Sequence, residues 1–241
     1  MRYFCSMAEH RGTTGDDAAR LGFALATLVA VLALATFAMA VLTPPLSGPF
    51  CAKGCLQYPY AEAGSRFPRD FLWMYPAVVL MLAFVGLLVC VHRTTPAERQ
   101  VYSQLSVVFG ASAAVIIAAD YFVQFSVVPP SLLAGETDGI ALLSQYNPHG
   151  LFVVLEELGY LMTGVALVCL APVFWRSRRA IAWISLAAFL ADLAALAAVS
   201  AIHGVHREYR FEVAVIAIDY LAMVALATLL AVAWRPPRWV A

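Results

Sequence analysis

Six stretches of the chain are almost free of charge, and each is long enough to cross a bilayer: Leu21 to Leu42, Phe71 to Val91, Val101 to Val128, Gly150 to Phe174, Ala180 to Ile202 and Phe211 to Trp234. A spanning helix needs about 20 predominantly apolar residues. The runs are continuously apolar and lack the alternation over about ten residues of a membrane barrel strand, so the pattern predicts helices and excludes an all-β barrel. Helix breakers fall where those helices must end, with Pro44-Pro45 after the first, Pro129-Pro130 after the third and Pro236-Pro237 after the sixth. Asn147-Pro148 reads as an N-cap and first helical residue at the start of the fourth. The expected fold is an all-α polytopic integral membrane protein, a bundle of six transmembrane helices over residues 21–235 with short tails at 1–20 and 236–241.

Composition agrees with that class. Of 241 residues, 63% are hydrophobic and only 12% charged, with a mean hydropathy of +0.82, which a soluble domain of this length does not require. Fifteen basic and fifteen acidic residues leave a formal net charge of zero, so no nucleic-acid partner is expected. The single lysine, Lys53, lies between the first two runs, which excludes a lysine Schiff base at membrane depth. No cofactor is implied, because the chain carries no zinc motif, no glycine-rich phosphate loop and no Ser-His-Asp set at a recognisable spacing.

The positive residues set the orientation. With the N-terminus in the cytoplasm, the inner segments hold Arg2, Arg11, Arg20, Arg93, Arg99, Arg176, Arg178, Arg179, Arg235 and Arg238. The outer segments then hold only Lys53, Arg66, Arg69, Arg207 and Arg210. The positive-inside rule therefore predicts a multi-pass protein of the cell membrane with both termini cytoplasmic. Trp175 and Trp234 fall at the inner interface and Trp73 at the outer one, where indoles prefer to lie. Ala38-Met39-Ala40 resembles the small-residue cleavage pattern of a secretory signal, but the apolar run before it exceeds the 7 to 15 residues or so of a signal core, which favours a retained span.

Five carboxylates lie well inside these apolar runs: Asp120, Glu156, Glu157, Asp192 and Asp219. No Lys or Arg within the same runs is placed to neutralise them, and an acid at membrane depth marks a functional-site hypothesis by default. At 1.5 Å per residue, Asp120, Glu156, Glu157 and Asp219 fall roughly 9 to 15 Å below the outer boundary, with Asp192 nearer the middle. Helical spacing places His149, Val153, Glu156 and Tyr160 on one face of the fourth helix, Asp120 with Gln124 on the third, Ser185 with Asp192 on the fifth, and Glu212 with Asp219 on the sixth. Glu157 is turned about 100° from Glu156, and Glu156 is the expected cavity residue of the two. The candidate ligand-binding set is Asp120, Tyr121, Gln124, His149, Glu156, Tyr160, Asp192, Asp219 and Tyr220, with Glu156 and Asp120 as candidate catalytic acids. A purely structural reading stands beside it, in which the acids form hydrogen-bonded pairs such as Asp120 with Tyr220 or Glu156 with Tyr121.

Segments on the outer side are the richest in polar chemistry, from Cys51, Lys53 and Cys55 to Asp70, from Glu136 to His149, and from His203 to Arg210 including Glu208. His203-x-x-His206 lacks the HExxH spacing that puts two ligands and a base on one helix, and no metal site is expected. Cys51 and Cys55 share one outer loop and leave open a disulfide, free thiols or redox work, although Cys-x3-Cys is not the spacing tied to a low thiol pKa. Cys90 and Cys169 read as small core residues and Cys5 as cytoplasmic.

Leu155-Glu156-Glu157-Leu158 resembles the adjacent acids of integral-membrane carotenoid and terpene cyclases, without the proline that usually precedes them. That resemblance implies protonation of an isoprenoid double bond by a buried carboxylic acid. Ile117-Ala118-Ala119-Asp120-Tyr121 also parallels Ile216-Ala217-Ile218-Asp219-Tyr220, although an inverted pair three helices apart would put one Asp near the inner surface. Three functions follow. The leading expectation is binding or transport of a cation or protonatable small molecule. The alternatives are a membrane enzyme acting on a lipid or isoprenoid with a buried general acid, and a non-catalytic membrane subunit. The expected partners are the bilayer and a cationic or hydrophobic small molecule, and homo-oligomerisation is left open.

Overall fold

A computed structural model of the chain describes residues 17–207 and 209–236 in full and residues 2–16 as backbone. Glu208 and residues 237–241, including Pro237 and Arg238, lie outside the described residues, as do the side chains of Arg2, Cys5 and Arg11. Nine α-helices follow one another among the described residues, with no strand between them: α1 (Arg2–Leu42), α2 (Met74–Thr94), α3 (Gln100–Ser126), α4 (Val128–Leu133), α5 (Ile140–Leu143), α6 (Leu151–Val168), α7 (Leu170–Phe174), α8 (Arg179–His203) and α9 (Tyr209–Ala233). They build six apolar spans, at Asp17–Leu42, Arg69–Thr94, Ala97–Leu133, Leu151–Phe174, Arg179–His206 and Tyr209–Ala233. The six-helix membrane fold expected from the sequence is the fold observed. α1 continues back through the expected tail to Arg2, and Ala38-Met39-Ala40 lies inside it.

Proline chemistry explains the two interrupted spans. Pro129 has no N–H to offer the carbonyl of Phe125, so α3 stops at Ser126 and α4 restarts with Pro129 and Pro130 in its first turn. Pro172 likewise cannot bond to Val168, and the fourth span divides there into α6 and α7. Arg99 Nη1 donates to Val173 O at 2.8 Å beyond the break.

The spans close into a ring in which α1 packs on α2 and α9, α2 on α3, α3 on α6, and α8 on both α6 and α9, with α6 also reaching α9. Burial follows: 56% of the apolar window of the second and fourth spans is buried, against 22% in the first and 28% in the fifth, so α2 and α6 form the interior and α1 and α8 turn most of their surface to lipid. Without water to drive helices together in a bilayer, small residues permit the close approach. A Cβ on Gly159 of α6 would come 2.5 Å from Ile117 of α3, and Ser106 Oγ of α3 donates to Ala166 O of α6 at 2.7 Å.

Because successive spans alternate in direction, segments 43–73, 127–150 and 204–207 gather at one end of the bundle, with segments 95–99 and 175–178 at the other. The first of these is not a slack loop. Cys51 and Cys55 are joined by a disulfide, Leu56 N donates to Leu46 O at 2.7 Å, and Leu46, Leu56, Tyr60, Ala63 and Phe71 are buried. Gly64 sits against Leu132, Leu133 and Pro129, so this segment seats on α4. It forms a roof over the disulfide end. The opposite end carries Arg93, Arg99, Arg176, Arg178 and Arg179.

Candidate functional site

Glu156 stands at the centre of a buried hydrogen-bonded chain. It projects from α6 about 8 Å below that helix's start, at 1.5 Å per residue, and is 1% exposed. Tyr121 of α3 donates its hydroxyl to Glu156 Oε1. The hydroxyls of Tyr121 and Tyr160 lie 3.1 Å apart, and Tyr160 donates to the hydroxyl of Tyr220 on α9 at 3.3 Å. On its other side Glu156 lies in hydrogen-bonding reach of Glu212, three residues into α9. Two carboxyls can bond each other only when one of them carries a proton. Aromatic packing fixes the chain, with Trp73 edge-on to Tyr121 at 5.1 Å and Phe37 stacked on Tyr220 at 5.7 Å.

A cavity of about 380 Å³ opens above this chain, between the roof ends of α1 and α9, within the size range of small-molecule pockets. Glu156, Glu212 and Tyr220 contribute its polar floor and Phe37, Val41, Val213 and Ile216 its apolar sides. Pro44 to Ser47 pass over the top, tied down where Ser47 Oγ meets Tyr209 Oη at 2.9 Å and Tyr209 donates to Gln145 O at 2.8 Å. The wall residues Val41 and Val213 are 67% and 49% exposed, on helices whose outer faces meet lipid. The mouth therefore lies at the side, between α1 and α9. Gln145 lines the cavity and its Nε2 has no hydrogen-bond partner among the described residues.

Asp70 and Tyr146 complete the roofward rim. Tyr146 donates to Asp70 Oδ2 at 3.0 Å and Arg69 Nε to Asp70 Oδ1 at 2.7 Å. Burial, reinforced by the adjacent Asp70 carboxylate, pushes the Tyr146 phenol well above its ordinary range, and burial raises Tyr60 in the roof as well. Both stay neutral donors at physiological pH.

The other sequence candidates scatter. Asp120 does not reach the main cavity; it lines a separate space of about 100 Å³ between α3 and α6 and does not bond Tyr220. Gln124 commits both ends of its amide to the 143–145 segment, donating to Leu143 O and accepting from Gln145 N at 2.9 Å. His149 falls off the Glu156 face because α6 begins only at Leu151, after an extended Gly150. Its N–H donates to Asn147 Oδ1 at 3.0 Å, which turns the chain before the helix and leaves the ring exposed. Asp192 and Asp219 lie about 15 Å deeper than the helix ends, within electrostatic reach of each other, both 0% exposed. None of their four oxygens has a hydrogen-bond partner among the described residues.

Glu157 finds its cation outside the apolar runs, none of which contains a Lys or Arg. Arg207, from the turn between α8 and α9, donates Nη2 to Glu157 Oε2 at 2.6 Å while its guanidinium lies 5.6 Å over the Phe211 ring. The sequence reading looked for cations within the apolar runs, and this one reaches in from a turn.

Glu212 is the residue that sequence reasoning undervalued, noted only for sharing a face with Asp219. A stronger signal is the set Tyr209, Glu212, Ile216 and Tyr220, at steps of three, four and four, which is one stripe of α9 and lines the cavity. Among the described residues, no group of three or more His, Cys, Asp or Glu is placed to hold a metal ion. In comparisons with known proteins, no family model, no curated protein and no solved structure matches this chain.

Proposed function

We propose that the protein binds a membrane-borne amphipathic molecule with a cationic or proton-donating head, taken up sideways from the outer leaflet of the cell membrane. The cavity carries this reading: apolar walls facing lipid, a roof on the side away from the bilayer core, and at its floor a carboxyl pair with the acceptor capacity for a protonated amine. Gln145 Nε2 adds a donor for a head that also accepts. Two independent features support the outer placement. The arginines are concentrated at the opposite end, and the Cys51–Cys55 disulfide belongs in an oxidising compartment. Below Tyr220, Phe84, Leu88, Leu167, Met223 and Leu226 pack around a void of only about 10 Å³, which favours a site with one mouth over a path through the bundle.

The direct experiment uses the full chain in lipid nanodiscs and compares a long-chain alkylamine with the alcohol of equal length. The amine binds at least tenfold more tightly, a charge-assisted hydrogen bond being worth about 1.5–3 kcal/mol, and Glu156→Gln and Glu212→Gln each remove that preference. Equal binding of the two by the native protein would overturn the reading.

A second reading rests on Glu156 and Glu212 as two buried carboxyls facing an apolar cavity, where one that keeps its proton is the general acid that protonation of a hydrophobic substrate needs. Deuterium from D2O incorporated into an isoprenoid product, lost in Glu156→Gln, would put catalysis in place of simple binding.

A further inference from the structure

The break between α6 and α7 creates a second concavity, at the arginine end. It is a cleft of about 620 Å³ between α3, α7 and α8, floored by Val168, Pro172 and Leu186 and rimmed by Glu98, Arg99 and Arg176. We propose that this cleft holds one anionic phospholipid, with its phosphodiester between Arg99 and Arg176 and an acyl chain along the apolar floor.

Each part of the cleft contributes a reason. An apolar groove at membrane depth is filled by acyl chain whatever the lipid, so the rim decides which head group stays. Arg99 is already anchored, its Nη1 on Val173 O at 2.8 Å, which uses one of the five guanidinium N–H donors and holds the rest at the rim. Arg176 is exposed and has no ion-pair partner among the described residues. Glu98 bonds neither arginine and leaves two guanidiniums against one carboxylate. A phosphocholine head would bring its own cation against those arginines, whereas phosphatidylglycerol offers the phosphodiester alone. Trp175 lines the same cleft, its ring 5.1 Å from that of Trp183, and indoles mark the head-group level. Basic pockets between membrane helices bind anionic head groups on the same physical grounds.

Native mass spectrometry of the detergent-solubilised full chain, offered equal amounts of dioleoyl phosphatidylglycerol and dioleoyl phosphatidylcholine, tests the assignment. The native protein retains the anionic lipid in preference, and Arg176→Gln lowers that preference by roughly fivefold, the contribution of one basic residue near an anionic surface. Among the described residues Arg176 makes no hydrogen bond or ion pair, so its replacement leaves the melting temperature unchanged. Arg93→Gln serves as the control, because Arg93 is exposed at the same end but does not line the cleft; it leaves the preference intact. Equal retention of both lipids would overturn the site. So would a loss in Arg93→Gln as large as in Arg176→Gln, which would mean diffuse surface charge, or displacement of the lipid by millimolar inorganic phosphate, which would mean a site for small anions.

Discussion

Two carboxyl pairs sit in the same bundle, and their surroundings differ in almost every respect. Glu156 and Glu212 touch a cavity and lie in hydrogen-bonding reach of each other, and Glu156 extends through Tyr121, Tyr160 and Tyr220 into a chain crossing three helices. Asp192 and Asp219 are sealed deeper, with four oxygens that have no hydrogen-bond partner among the described residues and Gly164 of α6 packed so closely on Asp192 that an added Cβ would overlap its carboxyl. Burial costs both pairs solvation, but among the described residues only the glutamate pair has a hydrogen bond to offset it, donated by Tyr121. What a buried acid does therefore follows from its partners more than from its depth. The glutamate pair borders a cavity at the roof end of α1 and α9, and the aspartate pair carries a polar burial between α8 and α9 that no hydrogen bond among the described residues relieves.

The sharpest way to break this contrast is to remove the centre of the better-satisfied pair. Glu156→Leu leaves the Glu212 carboxyl without its neighbour and takes from Tyr121 its carboxyl acceptor, leaving only the Tyr160 hydroxyl, and a hydrogen bond lost to a buried group costs about 1–3 kcal/mol. Thermal unfolding in detergent is expected to show a loss of about 2–4 kcal/mol together with loss of amine binding. A variant as stable as the parent would mean that the tyrosine chain is not held by Glu156.

The aspartate pair predicts the opposite sign. Asp219→Asn keeps the shape and adds two amide donors beside a carboxyl that has no partner, so one new hydrogen bond becomes available, worth about 1 kcal/mol net. A rise in unfolding free energy of that size, with binding in the glutamate cavity unchanged, is the expected result. A marked loss of stability would show that the aspartates are already satisfied in the native protein and that the contrast between the pairs is false.

How far the sequence foretold this arrangement depended on the range of each interaction. Hydropathy alone placed all six spans, because in a bilayer the backbone must bond within each helix and no other element competes. Local angles were legible too: the 100° between Glu156 and Glu157 is enough to turn one toward the cavity and the other toward Arg207. The break at Pro172 was written in the chain but hidden inside an otherwise unbroken apolar run. What could not be read was pairing between distant segments. Glu212 meets Glu156 across 56 positions, Arg207 reaches into the membrane from a turn, and the 43–73 segment folds into a roof through contacts with α4 that no local pattern announces. His149 leaves the Glu156 face for a local reason, since the Asn147 side chain turns the backbone and the helix begins at Leu151, three residues after Pro148.

The smallest effect probes the roof over the glutamate pair and leaves the aspartates untouched. Tyr146 is neutral in the folded protein at a pH where an exposed tyrosine, with its ordinary value of 10.0, has begun to ionise. Between those two values the native state binds more protons than the unfolded state, so stability is fully present below about pH 10 and falls as pH rises beyond it. Tyr60, raised by burial in the same roof, contributes with the same sign. Tyr146→Phe removes one of these two ionisations and leaves the aromatic packing in place. The variant should lose stability less steeply than the parent between pH 10 and pH 11, although not at zero slope because Tyr60 remains. Unfolding followed across that window would be decisive: identical slopes would mean that the Tyr146 phenol is open to water and that the cavity roof is looser than its bond to Asp70 implies.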